Sequence, residues 1–256
     1  MSLYCHIHFD CSLFPLSFST LLYLHAMKIL GLIGGISWVS TLDYYKNINL
    51  GVNEHLGDLN FAECIIYSFN YQEIKKNNDS GKWDKTLEML SKAAQTMKSG
   101  GAEAIVLCAN TMHKIADQLQ DNVGLPVIHI ATATAEAINQ TGLKKVGLLG
   151  TRFTMEEAFF RDKLIAKGID IVIPDDADRA HLHWTIFEEL GRNILNPATK
   201  QFYIEVINKL IAQGVEGIIM GCTEIPLLIN QSDVNIPLFD TTVIHSKAAI
   251  KFALGI

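Results

Sequence analysis

Charge is scarce in this chain: only 19% of its 256 residues are Asp, Glu, Lys or Arg, and 21 cations against 27 anions leave a net −6. No block of Lys and Arg occurs, which excludes the electrostatic footprint of a nucleic-acid-binding protein. Cysteine is scarce too. The five present (Cys5, Cys11, Cys64, Cys108, Cys222) are odd in number, widely spaced and without a CxxC pair. That excludes a disulfide framework or a zinc ribbon and suits a reduced, cytoplasmic setting. The first 26 residues contain no Lys or Arg and one acid, Asp10. Their apolar-leaning run LFPLSFSTLLYLHA (13–26) is broken by Pro15, by Ser and Thr, and by His25. The first cation, Lys28, follows the run, so it reads neither as a secretory leader nor as a membrane span. Residues 1–26 are expected to be an extension that the fold does not need. Phosphate-binding fingerprints are also missing: the glycine-rich GLIGGISWVST (31–41) has neither GxGxxG spacing nor a GK[ST] ending.

What the chain does have is alternation. KILGLI (28–33), AECIIY (62–67), EAIVLC (103–108), PVIHI (126–130), KVGLLG (145–150), IDIVI (169–173), EGIIM (216–220) and IPLF (236–239) read as short buried strands. Helical patterns lie between them, among them 41–56, 83–100 and 197–214, with Gly100, Gly168 and Gly214 at expected helix ends. Strand–helix alternation of this kind implies an α/β fold with parallel sheets covered by helices.

Inside the alternation is a repeat. KILGLIG (28–34) matches KKVGLLG (144–150), and GAEAIVLCANTMHK (101–114) matches GVEGIIMGCTEIPLL (214–228). The offset is 116 residues at the strand glycines, Gly31 and Gly147, and 114 at the cysteines, Cys108 and Cys222. Two similar α/β halves facing each other across a cleft are expected: residues 27–127 with 236–256, and residues 128–235. Each cysteine closes a strand, where helix N-termini gather and ligands bind.

GLIGGISWVST, LCANTMHK (107–114), LGTRFTME (149–156), GCTEIPLL (221–228) and FDTT (239–242), in this order and spacing, resemble the cofactor-independent aspartate/glutamate racemase superfamily over about Met27–Gly255. The resemblance implies two flavodoxin-like halves related by a pseudo-two-fold axis, an active site between them, and a catalytic cysteine pair mapping onto Cys108 and Cys222. It implies racemisation of an α-amino acid without pyridoxal phosphate, with no cofactor and no metal. One thiolate removes the Cα proton while a thiol on the opposite face returns one. Asn110, Thr111 and Thr223 are the expected donors to the enediolate-like carboxylate. Ser37 and Thr41 are expected at the cleft rim, and Asn78 on the loop where a cation would recognise an acidic side chain. No guanidinium falls at a recognition position; Lys75, Lys76, Arg179 and His181 are the nearest cations.

Other conspicuous residues carry weaker expectations. Cys64 reads as core, His113 as a positioning or structural group, and His129 and His245 as structural residues, with lining the cleft the lesser alternative. Asp240 reads as a helix cap and Glu224 as a structural residue, with a role on the second thiol the lesser alternative. The expected partner is an amino-acid substrate, with neither nucleic acid nor membrane, and with a homodimer left open. Same-fold alternatives are a hydantoin racemase, a maleate isomerase or a decarboxylase; the alternative of another class is a non-catalytic small-molecule sensor.

Overall fold

The computed structural model describes residues 27–256; the extension 1–26 lies outside the described residues. Two four-stranded, all-parallel sheets carry the fold, with orders β2-β1-β3-β4 and β6-β5-β7-β8. The first is built from β1 (Leu30–Gly34), β2 (Cys64–Ser68), β3 (Ala104–Leu107) and β4 (Val127–Ile128), the second from β5 (Lys145–Gly150), β6 (Asp170–Val172), β7 (Gly217–Gly221) and β8 (Leu238–Asp240). The identical order is the structural form of the internal repeat. β1, β3 and β7 are buried along their whole lengths, and β5 is buried beyond Lys145. Strands covered on both faces need continuous apolar runs, which these sequences supply.

The intervening helices start and stop on local chemistry. α1 (Trp38–Leu56) is capped by Ser37, whose side chain accepts from the Ser40 amide. α9 (Pro197–Ala212) opens with Asn196 as cap and Pro at its first position, where a missing N–H costs nothing. α11 (Thr241–Leu254) is capped by Asp240 and ends at Gly255 in the left-handed region. The remaining helices are α2 (Tyr71–Asp79), α3 (Trp83–Ser99), α4 (Ala116–Val123), α5 (Ile130–Thr141), α6 (Arg152–Glu156), α7 (Ala158–Ile165), α8 (Asp176–Glu188) and α10 (Ile225–Leu228). Among the described residues, no helix is long and apolar enough to cross a membrane.

The return to the first half comes later than the pattern suggests. Residues 236–240 do not rejoin it, because β8 pairs with β7 and extends the second sheet. Only α11 crosses back, packing on α1 and α5. Its Ala249, Ile250 and Ala253 join Tyr44, Ile48 and Val52 of α1 in one buried cluster under the first sheet. An IPLF strand looks alike in either sheet; its partner is fixed by tertiary pairing, which sequence periodicity does not encode.

Candidate functional site

In both sheets the strand order reverses between the first and third strands, and loops leaving those strands diverge to open a crevice. The two crevices face each other. Between them lies a cleft of about 350 Å³ lined by Gly35–Val39 after β1, Ala109–Met112 after β3, Thr151 and Phe153 after β5, and Gly221–Glu224 after β7. A larger groove of about 540 Å³ runs between α1 and α11 past Gly51 and Ile250 and shares no lining residue with the cleft.

The wall after β1 depends on Gly35. Its φ is +77°, and a Cβ there would lie 2.3 Å from the Phe69 backbone N and O. Glycine alone permits both the conformation and the approach. Thr41 does not face the cleft as expected. It is spent on this turn, its hydroxyl accepting from the Gly35 amide at 2.9 Å and donating to the Ser37 carbonyl at 3.0 Å. Ser37 lines the cleft with φ 130°, a backbone conformation costly for a non-glycine residue and typical of functional sites.

On the second half, Cys222 is 8% exposed and lines the cleft. Its thiol donates to Glu224 Oε2 at 2.9 Å, and Thr223 Oγ1 donates to the same oxygen at 2.8 Å. Burial first, then the charge of Glu224, pushes the Cys222 thiol well above its ordinary pKa. The resting group is therefore a protonated thiol hydrogen-bonded to a carboxylate, an acid whose proton already has a destination. Tyr71 stands in the same cleft. Burial, then Cys222, Asp79 and Glu224, push it up to about 12, so its hydroxyl is a donor at neutral pH.

Cys108 is elsewhere. It is fully buried in the apolar cluster of Leu30, Leu32, Tyr44 and Val106, on the face of β3 turned away from the cleft. Burial, with a lesser contribution from Cys64, pushes its thiol far up, and its sulfur's hydrogen bond is a long 3.9 Å contact to the Val106 carbonyl. The register explains the error in the sequence expectation. Gly31 pairs with Ile105 and Gly147 with Ile218, so equivalent positions on β3 and β7 are 113 apart (105 against 218). The counterpart of Cys222 is Ala109, not Cys108. Because side chains alternate across a strand, an alignment slipped by one residue places the thiol on the wrong face. Ala109 lines the cleft where the repeat has its second thiol.

Asn110, Thr111 and Thr223 line the cleft as expected. Thr111 Oγ1 lies 3.4 Å from Thr151 Oγ1 of the other half. Asn78 also lines it, but its amide oxygen accepts from Thr86 at 2.7 Å, which ties it to α3. Of the named cations, Lys75 alone reaches the cleft, paired with Asp79. Arg179 is held by Glu156, Asp176 and the Pro174 carbonyl. His181 stacks on Trp184. Sequence reasoning missed Arg192, on the turn Leu190–Arg192, which lines the cleft and pairs with Glu188 at 2.6 Å. It also missed Tyr71. Neither sits in a recognisable motif.

Behind the first wall lie three histidines, His113 and His245 buried and His129 half-buried. His113 packs within 4.9 Å of His129 and 5.1 Å of His245, ring centre to ring centre. His245 Nε2 donates to the Ile128 carbonyl at 2.6 Å, leaving Nδ1 to accept from Tyr44 at 2.8 Å. His113 Nδ1 donates to the Ala109 and Asn110 carbonyls, bracing the loop. Burial above all lowers the three to about 4 (His113), 2 (His129) and 3 (His245), so all are neutral. None lines the cleft. Among the described residues, no three His, Cys, Asp or Glu side chains converge as a metal site.

A family model described as Asp/Glu/Hydantoin racemase matches residues 33–249, a span that includes every strand end of the cleft. The chain belongs to this family. It is similar to a Yersinia pestis protein whose crystal structure is described as that of a candidate Asp/Glu racemase: 51% identity, TM-score 0.85, over 89% of this chain and 100% of that one. A Pyrococcus horikoshii aspartate racemase homologue is 37% identical, with TM-score 0.77 over 89% and 99% of the two chains. A broad-specificity amino-acid racemase of Bacillus subtilis is 22% identical over 89% of this chain and 99% of its own. Within the racemase family fold, the described residues of this chain offer one cleft thiol, Cys222.

Proposed function

We propose that this racemase-family protein exchanges the Cα proton of an α-amino acid through one thiol, Cys222, with Glu224 as its proton relay and without pyridoxal phosphate. The observation that carries the reading is the hydrogen-bonded pair Cys222–Glu224 facing Ala109 across the cleft. Glu224 takes the thiol proton, the thiolate abstracts the Cα proton, and the pair returns a proton to the same face. The enediolate-like carboxylate is met by the hydroxyls of Thr111 and half-buried Tyr71, which line the cleft, while Thr223 keeps its proton on Glu224. Opposite Cys222 the repeat places Ala109, whose methyl carries no exchangeable proton. Delivery there falls to hydroxyls fed by solvent, so inversion is slower than exchange with retention.

The test is each pure enantiomer in D₂O. The expected result is deuterium at Cα of one enantiomer, with retained configuration, before optical activity is lost. Absence of exchange in any amino acid sinks the reading. The same lone thiol supports a second reading, decarboxylation of a malonate-type acid. There the C–C bond releases CO₂, the electron pair enters an enediolate, and the Cys222 thiol protonates the carbon. CO₂ release from such an acid, without exchange in amino acids, would select it.

A further inference from the structure

Thr241, the first residue of α11, touches both halves without lining the cleft. It is fully buried, its hydroxyl donates to the Met220 carbonyl of β7 at 2.8 Å, and it meets Asn110 Nδ2 at 3.1 Å. A threonine hydroxyl has one proton, and a carbonyl can only accept. That proton is committed to Met220, so toward Asn110 the Thr241 oxygen can only accept. Only the NH₂ end of the Asn110 amide can meet it. The other end, Oδ1, is buried and has no partner in the protein, although Asn110 itself lines the cleft.

We propose that Thr241 is a positioning residue: through Met220 it locks the Asn110 amide so that Oδ1 is presented to substrate as an acceptor, and the group it accepts from is the α-ammonium. This rests on the amino-acid reading above and adds the residue that fixes amide polarity. Without the lock, the amide could present NH₂ instead, and a donor facing an ammonium repels it. The signal in the chain is FDTT, whose Asp240 caps α11 through the Thr242 and Val243 amides. The cap does not need the Thr241 hydroxyl.

The test compares Thr241→Val, nearly isosteric but without a hydroxyl, with Thr241→Ser, which keeps it. The ligands are a substrate amino acid and its des-amino carboxylic acid, which lacks the ammonium and keeps the carboxylate. In Thr241→Val the Kd of the amino acid should rise about tenfold and that of the des-amino acid less than twofold, while Thr241→Ser restores both. Equal weakening of the two ligands in a folded Thr241→Val protein, or no weakening, overturns the proposal. A readout independent of substrate is the ¹⁵N-labelled Asn110 side-chain amide, one proton of which should be slow to exchange in the wild type and fast in Thr241→Val. If the wild type binds no amino acid, the functional reading fails; an Asn110 amide with both protons exchanging freely would then overturn the lock on its own.

Discussion

At the scale of single residues, the proposed chemistry rests on the difference between two cysteines. Cys222→Ser keeps the shape and loses the thiol's acidity; Cα exchange should fall by at least a hundredfold, the usual range for loss of a positioned acid or base. Cys108→Ser should leave exchange within about twofold of wild type and destabilise the fold instead. It puts a hydroxyl into the Leu30–Leu32–Tyr44 cluster, which costs about 1–3 kcal/mol, visible as a lower urea midpoint at unchanged m-value. Loss of turnover in Cys108→Ser at unchanged stability would contradict the placement of Ala109. The converse change, Ala109→Cys, supplies the absent face and should raise inversion relative to retention at least tenfold in D₂O. Among the described residues the cations lining the cleft are Lys75 and Arg192, each paired with its own carboxylate, Asp79 and Glu188. An acidic substrate must compete with those carboxylates, so its advantage in kcat/KM over neutral amino acids should stay within about tenfold, roughly 1.4 kcal/mol. A hundredfold preference, abolished in Arg192→Met, would show that the pairs open for substrate.

Among elements, those defined by local chemistry were legible in the sequence. Buried strands announced themselves as apolar runs, helices by their patterns and terminal glycines, and the duplication by KILGLIG and KKVGLLG. The same signals could not fix alignment within β3, because Ala, Ile, Val, Leu and Cys are all acceptable on either face of a strand buried on both. The one-residue difference between Cys108 and Ala109 is set by pairing with β1, a tertiary fact. Arg192 and Tyr71 were missed for a related reason, since they reach the cleft from a turn and a helix start outside any repeated motif. The turn after β1 was legible as glycine-rich, and it carries a prediction. Gly35→Ala forces a Cβ into the Phe69 backbone at a positive φ, so it should cost more than about 1 kcal/mol by denaturation and depress turnover through displacement of Ser37.

For the whole molecule, three histidines behind the cleft make stability depend on pH. His113, His129 and His245 are held neutral, with folded pKa values near 4, 2 and 3, against about 6.5 when unfolded. Below pH 6.5 the unfolded chain takes up protons that the folded chain refuses, so stability is intact above that pH and lost as pH falls. At pH 5 each should cost about 2 kcal/mol, because one unit of pKa difference is worth 1.36 kcal/mol. Urea denaturation at pH 7 and pH 5 checks this, and His245→Gln should flatten the dependence. A stability that does not change between the two would mean that the histidines already carry charge in the folded state.

The crossing of α11 also has a consequence for how the protein is made. Synthesis runs at about 5–20 residues per second, so roughly ten seconds separate the emergence of β4 from that of Thr241. During that interval Tyr44, Ile48 and Val52 lack the helix that later covers them. The nascent first half therefore presents a sticky strip to the ribosome's surroundings until the fourteen-residue α11 is released. A chain arrested after Asp240 should bind a chaperone or a hydrophobic dye, and the completed chain should not.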